Sequence, residues 1–550
     1  MKLNVFSKNG FLFNAQNTII SAALVISGMY AVSAVLGLFR TRLLSHYYGA
    51  SEALGVFYTA DRVPSFIYSF LVVGTLSVIF IPLFTQAYKK NHAESWIFAS
   101  TVIALATSAF FVLGLISYIL APQIIGLLSV GRFTQSQLEL GVDLMRIMLI
   151  GQLFLVISSF CSAILQSFKY FFVAALAPVM YNLGMLLGTI ALHSSFGIYA
   201  PALSVIIGTF LHFLVQLPML MFVVKPKFSL ALKYRSAGFQ ELVKLLPARM
   251  FGAVVSQMAP TINTSLAVLV STSSLVYLRN AIQIQNFPVL LFGASMAQAA
   301  LPSLSLESGD LQHDKFKKTF LTTFHQMMFF VLPASVFLLV LRVPIVRFAV
   351  GTPNYPWEAT LTTALVLGLF SLSVFSQSSV FLLNRAFYAL KDTLSPVIVS
   401  VVTISISTII GLFLILVKGY GVWSVALAYS IGSFLDVILM TSVLSRKLGG
   451  FSFKELVIPF AKIVAAAFFM GLSLYIPIKI LDVKYIDTSR TANLLILTSI
   501  AGTFGSLSYL FFTKIFRVAE ISLLYSLIKR FSLKSVTAEH TAGVAEASAE

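Results

Sequence analysis

The sequence predicts an all-α polytopic membrane protein of about 14 transmembrane helices, built as two parallel-repeat six-helix lobes plus two C-terminal helices. Hydrophobic residues make up 58% of the 550 residues, and charged residues make up only 10%. A soluble globular protein carries roughly 25% charged residues, because its surface faces water. Apolar segments long enough to cross a bilayer as helices recur along the chain. A soluble fold is therefore excluded.

The predicted spans follow one another with short connections. They lie near residues 18–39, 62–86, 96–120, 140–165, 172–194, 199–223, 243–269, 276–303, 320–348, 359–383, 395–417, 421–443, 456–478 and 492–513. We expect a cytoplasmic N-terminus at 1–17, an N-lobe at 18–224, a cytoplasmic amphipathic linker at 225–239, a C-lobe at 240–446, a C-terminal helix pair at 447–514 and a cytoplasmic amphipathic and disordered tail at 515–550.

Lysine and arginine are concentrated in every second connection. Lys89 and Lys90 lie in one basic connection and Lys391 in another, whereas connections 193–197 and 351–356 contain neither residue type. Basic loops stay on the cytoplasmic side, so the pattern predicts a bacterial plasma membrane protein with both termini in the cytoplasm. The net charge of +18 then indicates contact with anionic lipid rather than with nucleic acid.

An internal duplication relates the two halves of the chain. Residues 196–212 align with residues 420–436, and Pro64 aligns with Pro288, at the same offset of 224 positions. Because each repeat contains an even number of spans, both lobes have the same orientation in the membrane. This arrangement is typical of transporters in which one lobe rocks against the other.

Proline and glycine recur inside equivalent spans of the two lobes. Pro64 and Gly74 lie in the second span, and Pro288 and Gly293 lie in the eighth. Such residues interrupt a membrane helix where neighbours or a cavity satisfy the released carbonyls. The recurrence favours hinges, and simple packing kinks are the alternative.

Arginines are placed where an ionised side chain is costly, at least about 2.5 kcal/mol near the bilayer centre. Arg40 and Arg42 lie at the end of span one, Arg62 opens span two, and Arg279 lies in span eight, with Asp61 as the local counter-charge. A cavity lined by them would attract phosphate or pyrophosphate, which the guanidinium fork binds well. The alternative is that arginines at span ends reach out to lipid headgroups.

Other polar residues inside the spans are further candidates for the cavity or for hydrogen bonds between helices. Gln257 and Asn263 in span seven either line the cavity or bridge helices. His212 and Asp436 occupy equivalent positions of the repeat, which favours an interhelical hydrogen bond and leaves a proton or ion site as the alternative.

The groups that enzymatic chemistry needs are sparse. Asp143 and Arg146 are spaced i, i+3, which favours an intrahelical ion pair. Asp482 and Asp487 share a connection that has no histidine or further acid to complete a metal site. The sequence predicts no enzyme and no cofactor, and it leaves coupling to Na⁺ or H⁺ open.

Short segments spread over spans one to twelve carry a family resemblance. The segments are Val35–Arg40, Tyr48–Ala50, Leu176–Asn182, Leu246–Pro247, Ser256–Gln257, Ile262–Thr264, Phe287–Pro288, Leu301–Leu304 and Asn384–Pro396. Through them the chain resembles the MurJ (MviN) family of lipid II flippases, in the multidrug/oligosaccharidyl-lipid/polysaccharide (MOP) transporter superfamily. The resemblance implies fourteen helices and translocation of an undecaprenyl-pyrophosphate-linked peptidoglycan precursor.

The resemblance also implies essential arginines on helices one, two and eight. Arg40 matches one of the helix-one arginines, but the other helix-one position holds Ala34 and the helix-two position holds Tyr68. The helix-eight arginine falls on Gln283, and Arg279 lies one helical turn earlier on the same face.

Two further family features fall on this chain with changes. The helix-two acid of the family falls on Gly55, and Arg62 is a candidate to compensate for the displaced arginines. Some members bind sodium among helices seven, eleven and twelve, so Asn263 and Asp436 are candidate sodium ligands by helix position.

Together, these observations predict a flippase that carries lipid II from the inner to the outer leaflet by alternating access. The alternatives are a flippase for another polyprenyl-pyrophosphate-linked glycan, a multidrug or cation antiporter of the same superfamily, a glycan polymerase or glycosyltransferase, and a transport-inactive interaction partner. Expected partners are the undecaprenyl-pyrophosphate-linked glycan, membrane lipids and cell-wall synthesis proteins, and the oligomeric state stays open.

Overall fold

The computed structural model describes residues 19–73, 79–229, 233–234, 237–309, 314–484, 491–522 and 524, and every regular element in these ranges is helical. The first ten helices are α1 (Ile19–Tyr48), α2 (Glu52–Ala60), α3 (Arg62–Tyr68), α4 (Ile81–Lys90), α5 (His92–Ile119), α6 (Ala121–Leu128), α7 (Gln135–Ser167), α8 (Phe171–Phe196), α9 (Tyr199–Leu214) and α10 (Leu217–Met219). The next ten are α11 (Ala237–Val270), α12 (Ser274–Pro288), α13 (Ser295–Glu307), α14 (Asp314–Val340), α15 (Arg342–Val350), α16 (Trp357–Ala389), α17 (Leu394–Leu412), α18 (Trp423–Lys447), α19 (Phe453–Lys484) and α20 (Thr491–Ile515).

The lengths and apolar character of these helices fit a membrane. Within the described residues, 12 helical segments are long and apolar enough to cross a bilayer. The two other predicted spans, near 18–39 and 62–86, coincide with α1 and with the stretch from α3 to α4. The prediction of an all-α polytopic membrane fold is confirmed.

Large apolar side chains on the helix exteriors face away from the protein. Phe111 is 59% exposed, Phe222 68%, Ile409 66% and Phe468 62%. Water would penalise this much exposed apolar surface, whereas a bilayer accepts it at no cost. The exposed side chains thus agree with the helix lengths.

The chain forms two compact units. The first contains Met1–Ile284, Ala349–Val366 and Ser400–Gly432, and the second contains the remaining segments, Gln285–Phe348, Leu367–Val399 and Ser433–Glu550. The predicted cytoplasmic N-terminus at 1–17 and most of the predicted tail, from residue 525 onward, lie outside the described residues.

The described part of the linker has no regular secondary structure and packs on α5. Lys225 has a left-handed backbone conformation and ends the preceding helical segment. The Phe228 ring lies edge-on to the Trp96 ring, with centroids 5.7 Å apart. The Ser229 N–H donates to the Ser100 Oγ at 2.9 Å. Ring contact and backbone hydrogen bond together hold the linker along one helix.

The turns after α7 and α16 have the same backbone geometry. Each contains a lysine in the left-handed region, Lys169 with φ 65° and Lys391 with φ 59°. In both turns the residue after the lysine donates its N–H to the carbonyl five residues earlier, at 2.9 Å. This bonding pattern closes a helix end. The two lysines, which are 222 positions apart in the sequence, thus occupy equivalent turns.

Two glycines of the repeat lie at close helix crossings. A Cβ on Gly208 of α9 would lie 2.7 Å from the Tyr181 carbonyl oxygen of α8. A Cβ on Gly432 of α18 would lie 2.7 Å from the Ser407 Cβ of α17. Small residues let membrane helices approach closely, so that van der Waals packing holds them together. Both glycines serve this purpose.

Asp392 links the turn after α16 to the end of α18 within the second unit. Its Oδ1 accepts the N–H groups of Leu394 at 3.1 Å and Ser395 at 3.0 Å, which caps α17. Its Oδ2 lies 2.7 Å from the Lys447 Nζ. Burial alone would raise the pKa of Asp392, but hydrogen bonds from Lys447 and Ser395 and the ammonium charge lower it to about 2.

Gly208→Ala is expected to lower the free energy of unfolding by about 1–3 kcal/mol, because the added Cβ forces α8 and α9 apart. Gly252→Ala is the matched control, since no described atom lies within 4 Å of its Cβ position on α11. The control should be neutral or slightly stabilising, because alanine favours helix. Thermal unfolding of the purified protein in detergent measures both variants. Equal melting temperatures would contradict the close-packing role.

Asp392→Asn is expected to make the melting temperature less dependent on pH under acidic conditions. The folded-state pKa lies below the usual value of about 3.9, so the ionised carboxylate stabilises the fold. This contribution is complete above about pH 4 and is lost as the pH falls toward 2. The melting temperature of the wild type should therefore exceed that of the variant at pH 6, and the gap should shrink at pH 3. A gap independent of pH would count against the ion pair.

Candidate functional site

A break in the second predicted span positions two charged residues side by side. Helix α2 ends at Ala60 and α3 begins at Arg62, with Asp61 between them. The Ser65 Oγ–H donates to the Asp61 Oδ1 at 3.2 Å. Pro64 lies in the first turn of α3, where a missing N–H is tolerated. The carboxylate of Asp61 and the guanidinium of Arg62 are therefore carried by consecutive residues at this helix boundary.

Arg62 is held by α11. Its side chain is buried, with 6% of the residue exposed. The Nε–H donates to the Thr261 Oγ1 at 2.9 Å, and the Nη2 donates to the Gln257 carbonyl at 3.3 Å and to the Gln257 Oε1. Since these partners belong to the protein interior, the alternative that Arg62 reaches lipid headgroups does not hold. The guanidinium is fixed in place by its partners.

Arg279 of α12 lies over Asp61 and Tyr58. Its Nη2 is 3.5 Å from the Asp61 Oδ2, and its guanidinium carbon is 5.5 Å from the centroid of the Tyr58 ring. Its Nε is buried and has no hydrogen-bond partner among the described residues. The Arg279 side chain is 29% exposed. This arginine is thus partly neutralised but retains an unused donor.

Arg40 of α1 is held by α8. Its Nη1 donates to the Asn182 Oδ1 at 3.0 Å and contacts the Met185 Sδ at 3.3 Å. The Asn182 Nδ2 in turn donates to the Ser33 Oγ at 3.0 Å. The asparagine therefore joins α8 to α1 and orients the guanidinium of Arg40.

The three arginines belong to one electrostatic cluster in the first unit. The Tyr58 hydroxyl lies within electrostatic range of Arg40 and of Arg279. Arg62 lies within electrostatic range of Arg279 and of Asp61. Three guanidinium groups and one carboxylate leave the cluster cationic. We call Arg40, Arg62, Arg279, Asp61 and Tyr58 the arginine cluster.

The other predicted site residues are placed as follows. Gln257 joins the cluster through its hydrogen bonds to Arg62. Arg42 is half-buried near the end of α1, and Asn263 is buried on α11 with 7% exposed. Asp436 is half-buried on α18 in the second unit. Among the described residues, no group of three or more His, Cys, Asp or Glu could hold a metal ion. A sodium site at Asn263 and Asp436 stays a prediction.

His212 takes part in a buried hydrogen-bond network. Its Nδ1 lies 2.6 Å from the Ser158 Oγ, which also accepts from the Gln216 Nε2 at 2.8 Å. Ser158 belongs to α7 and His212 to α9. The interhelical hydrogen bond that the sequence favoured for His212 is therefore confirmed.

The predicted ion pair between Asp143 and Arg146 is wrong. The Tyr199 hydroxyl donates to the Asp143 Oδ2 at 3.3 Å. The Arg146 Nε–H donates to the Tyr118 carbonyl at 3.2 Å, and its guanidinium lies 4.6 Å from the Tyr118 ring centroid. Each charge finds a partner on a neighbouring helix, so helical spacing alone does not decide the pairing.

The predicted breaks in equivalent spans coincide with π-helical segments. Pro64 is followed by π-helix at Ser69–Val73, and Pro288 is followed by π-helix at Val289–Ala294. A π-helical turn accommodates an extra residue and is common at functional sites. The backbone is therefore irregular in neighbouring positions of the two repeats, and the two π-helical segments overlap at Ser69 and Phe70 when the offset of 224 is applied.

The two predicted hinge glycines differ in what the structure reveals. A Cβ on Gly293 would lie 2.8 Å from the Ser378 Cα of α16, so close packing accounts for this glycine. Gly74 lies outside the described residues. Hinge motion at Pro64, Gly74, Pro288 and Gly293 stays a prediction.

The structure gives physical reasons for the departures from the family pattern. A Cβ at Gly55 would overlap the Thr272 carbonyl, so an acidic side chain does not fit there. A Cβ built on Gly37 of α1 would lie 3.2 Å from the Gln283 Nε2, so Gln283 reaches the surface of α1 at this glycine. Asp61, six residues after Gly55, is the acid that the structure places beside Arg279.

Sequence reasoning missed three members of the site. No pattern in the sequence singles out Tyr58 or Thr261 as a site residue. Asn182 ends the segment Leu176–Asn182, which carries part of the family resemblance. This resemblance was the signal that could have identified Asn182 as a site residue, and in the structure it binds Arg40.

Comparisons with known proteins identify the family of this chain. The family described as lipid II flippase MurJ matches residues 44–496. A probable lipid II flippase MurJ of Buchnera aphidicola subsp. Acyrthosiphon pisum is 26% identical over 91% of this chain and 98% of its own length. The lipid II flippase MurJ of Burkholderia cenocepacia is 26% identical over 76% of this chain and 82% of its own length.

Solved structures show the same relationship. The structure titled lipid II flippase MurJ, inward closed conformation, aligns with a TM-score of 0.75 at 25% identity and covers 90% of this chain and 100% of its own. An inward-facing multidrug resistance MATE family transporter of the MOP superfamily aligns with a TM-score of 0.64 at 13% identity and covers 78% and 98%, a likeness of fold alone. Because the family match extends over most of the chain and the fold agrees, this chain belongs to the lipid II flippase MurJ family.

Proposed function

We propose that this chain translocates lipid II, the lipid-linked peptidoglycan precursor, from the inner to the outer leaflet of the bacterial plasma membrane. The arginine cluster is the observation that carries the proposal. It gathers three guanidinium groups and one carboxylate among apolar helices, where an uncompensated charge is costly. A pyrophosphate-linked lipid is an anionic substrate that matches this charge. Membership of the lipid II flippase family supports the choice of lipid.

Within the cluster, the three arginines have different tasks in this proposal. Arg40 and Arg62 are held by Asn182 and by Thr261 and Gln257, so they present fixed positive charge. Fixed donors stabilise an incoming anion without the cost of reorganisation. Arg279 has a buried Nε without a partner, and its loose contact to Asp61 leaves the planar fork available to a phosphate.

Movement of the lobes is proposed to follow an alternating-access cycle. The irregular turns at Ser69–Val73 and Val289–Ala294 follow equivalent prolines and would bend. Membrane potential or a cation gradient would reset the lobes, and Asn263 and Asp436 are the candidate sodium ligands. Binding and movement of lipid require no bond-making chemistry, so the chain acts as a transporter and not as an enzyme.

The proposed orientation places both termini in the cytoplasm of a bacterial cell. The alternation of basic and uncharged connections supports this orientation. Partners beyond the lipid-linked glycan and membrane lipids would be cell-wall synthesis proteins.

A flippase for another polyprenyl-pyrophosphate-linked glycan is the second candidate. Gln283 and Tyr68 stand where the family resemblance implies arginines, and this difference favours a change in the glycan headgroup. The pyrophosphate and the polyprenyl chain would be shared, so the arginine cluster serves either cargo.

Arg279→Ala is expected to abolish complementation of a flippase-depleted strain while expression stays intact. The substitution removes the arginine whose donor is unused in the described structure. Arg279→Lys should restore growth only in part, because an ammonium cannot form the bidentate fork. Arg132→Ala, at an exposed arginine, is the matched control and should grow as the wild type does. Normal growth of the strain that carries Arg279→Ala would contradict the proposed role of this arginine.

Native mass spectrometry of the purified protein is expected to reveal bound undecaprenyl-pyrophosphate lipid. Added lipid II should displace a polyprenyl lipid that lacks the pyrophosphate, because the guanidinium groups recognise the phosphates. Retention of lipid II should fall by at least about tenfold in Arg279→Ala, the loss expected for a charged hydrogen bond of about 1.5–3 kcal/mol. Equal retention of both lipids would argue against a pyrophosphate site.

A further inference from the structure

Asp61 is the charged group of the arginine cluster that the proposed transport does not use. It lies at the break between α2 and α3, beside the buried Arg62 and opposite Arg279. Its side chain is 28% exposed, so the carboxylate is not locked in the interior. An acid in an anion-binding site opposes binding, and its presence there needs an explanation.

The contact between Asp61 and Arg279 is loose. Its 3.5 Å separation exceeds the roughly 2.7–2.9 Å of a strong charged hydrogen bond. The other carboxylate oxygen accepts from the Ser65 Oγ at 3.2 Å. The Arg279 Nε remains without a partner among the described residues. Asp61 therefore neutralises Arg279 without saturating its donors.

We propose that Asp61 is an internal competitor for the diphosphate, which pairs with Arg279 in the empty site and is displaced when a diphosphate lipid binds. This inference rests on the proposed function, since it concerns the same site. The displaced carboxylate keeps its Ser65 hydrogen bond and returns to Arg279 after the lipid leaves. No covalent step takes place, and the exchange is one of ion-pair partners.

The competition has a physical purpose. A site of three arginines without a counter-charge would bind a diphosphate strongly and release it slowly. Transport requires that binding be favourable enough for entry and weak enough for exit. Asp61 raises the stability of the empty site and so lowers the net affinity for the anion. The same carboxylate also limits the cost of burying Arg62 and Arg279 when no substrate is present.

The position of Asp61 suits an exchangeable group. The Asp61 backbone keeps its helical hydrogen bonds to Phe57 and Ser65, and its side chain makes no capping bond to α3, so the carboxylate can change partner without moving the backbone. Ser65, one turn further along, anchors one oxygen. Position 55 offers no such place, because a side chain there would overlap the Thr272 carbonyl.

The test measures affinity and turnover separately. Wild-type protein and Asp61→Asn are compared for binding of undecaprenyl pyrophosphate in detergent and for lipid flipping in proteoliposomes. Asp61→Asn is expected to bind about tenfold more tightly, within the usual range for coupled charges, and to flip lipid more slowly by a similar factor. Asp61→Glu should restore both values toward wild type. Asp143→Asn, at an exposed acid bonded to Tyr199, is the matched control and should change neither.

A double-mutant cycle assigns the effect to Arg279. In an Arg279→Gln background, Asp61→Asn should no longer tighten binding, because the carboxylate acts through that arginine. Asp61→Ala also removes the charge, so a folding defect in one variant leaves the other to decide. Equal or weaker binding by both charge-removing variants overturns the competitor role. Failure of the wild type to bind the diphosphate lipid at all would instead overturn the proposed function.

Discussion

The cost of placing guanidinium groups among apolar helices governs the structure around the arginine cluster. Each arginine must find oxygen partners within the protein, because lipid tails provide none. Arg40 finds Asn182, and Arg62 finds Thr261 and Gln257. These polar contacts tie α1 to α8 and α3 to α11. The site and the packing of these helices therefore have one common cause.

The hydrogen bonds and ion pairs of each arginine decide which role its guanidinium can have. Arg62 is held by three acceptors through its Nε and Nη2, whereas Arg279 has one loose ion pair and a buried Nε without a partner among the described residues. A tightly held guanidinium contributes fixed charge, and a loosely held one can exchange its partner. A cluster built from arginines alone would repel itself. The single carboxylate of Asp61 makes the arrangement stable in the absence of substrate.

Much of the fold was predictable because its causes are local or periodic. Apolar segments of bilayer length predict spans, and the repeat aligns Gly208 with Gly432, which both lie at close helix crossings. The lysine turns at Lys169 and Lys391 share one backbone geometry for the same reason.

The partners of the charged residues were not predictable, because they lie far away in the chain. Thr261 is 199 residues from Arg62, and Arg279 is 218 residues from Asp61. The spacing of Asp143 and Arg146 suggested a local ion pair, but Arg146 instead donates a hydrogen bond to the carbonyl of Tyr118 on a neighbouring helix. Helical spacing describes which residues share a face, and tertiary packing decides which group that face meets.

The close approach of Gly55 to the Thr272 carbonyl has an evolutionary consequence. A side chain at position 55 requires that the connection between α11 and α12 first move away, and that connection is more than 200 residues distant in the sequence. A larger residue at position 55 therefore needs a compensating change in the 271–273 connection. Substitutions at these two places are thus coupled, and a single substitution at either one does not have the same effect as the pair.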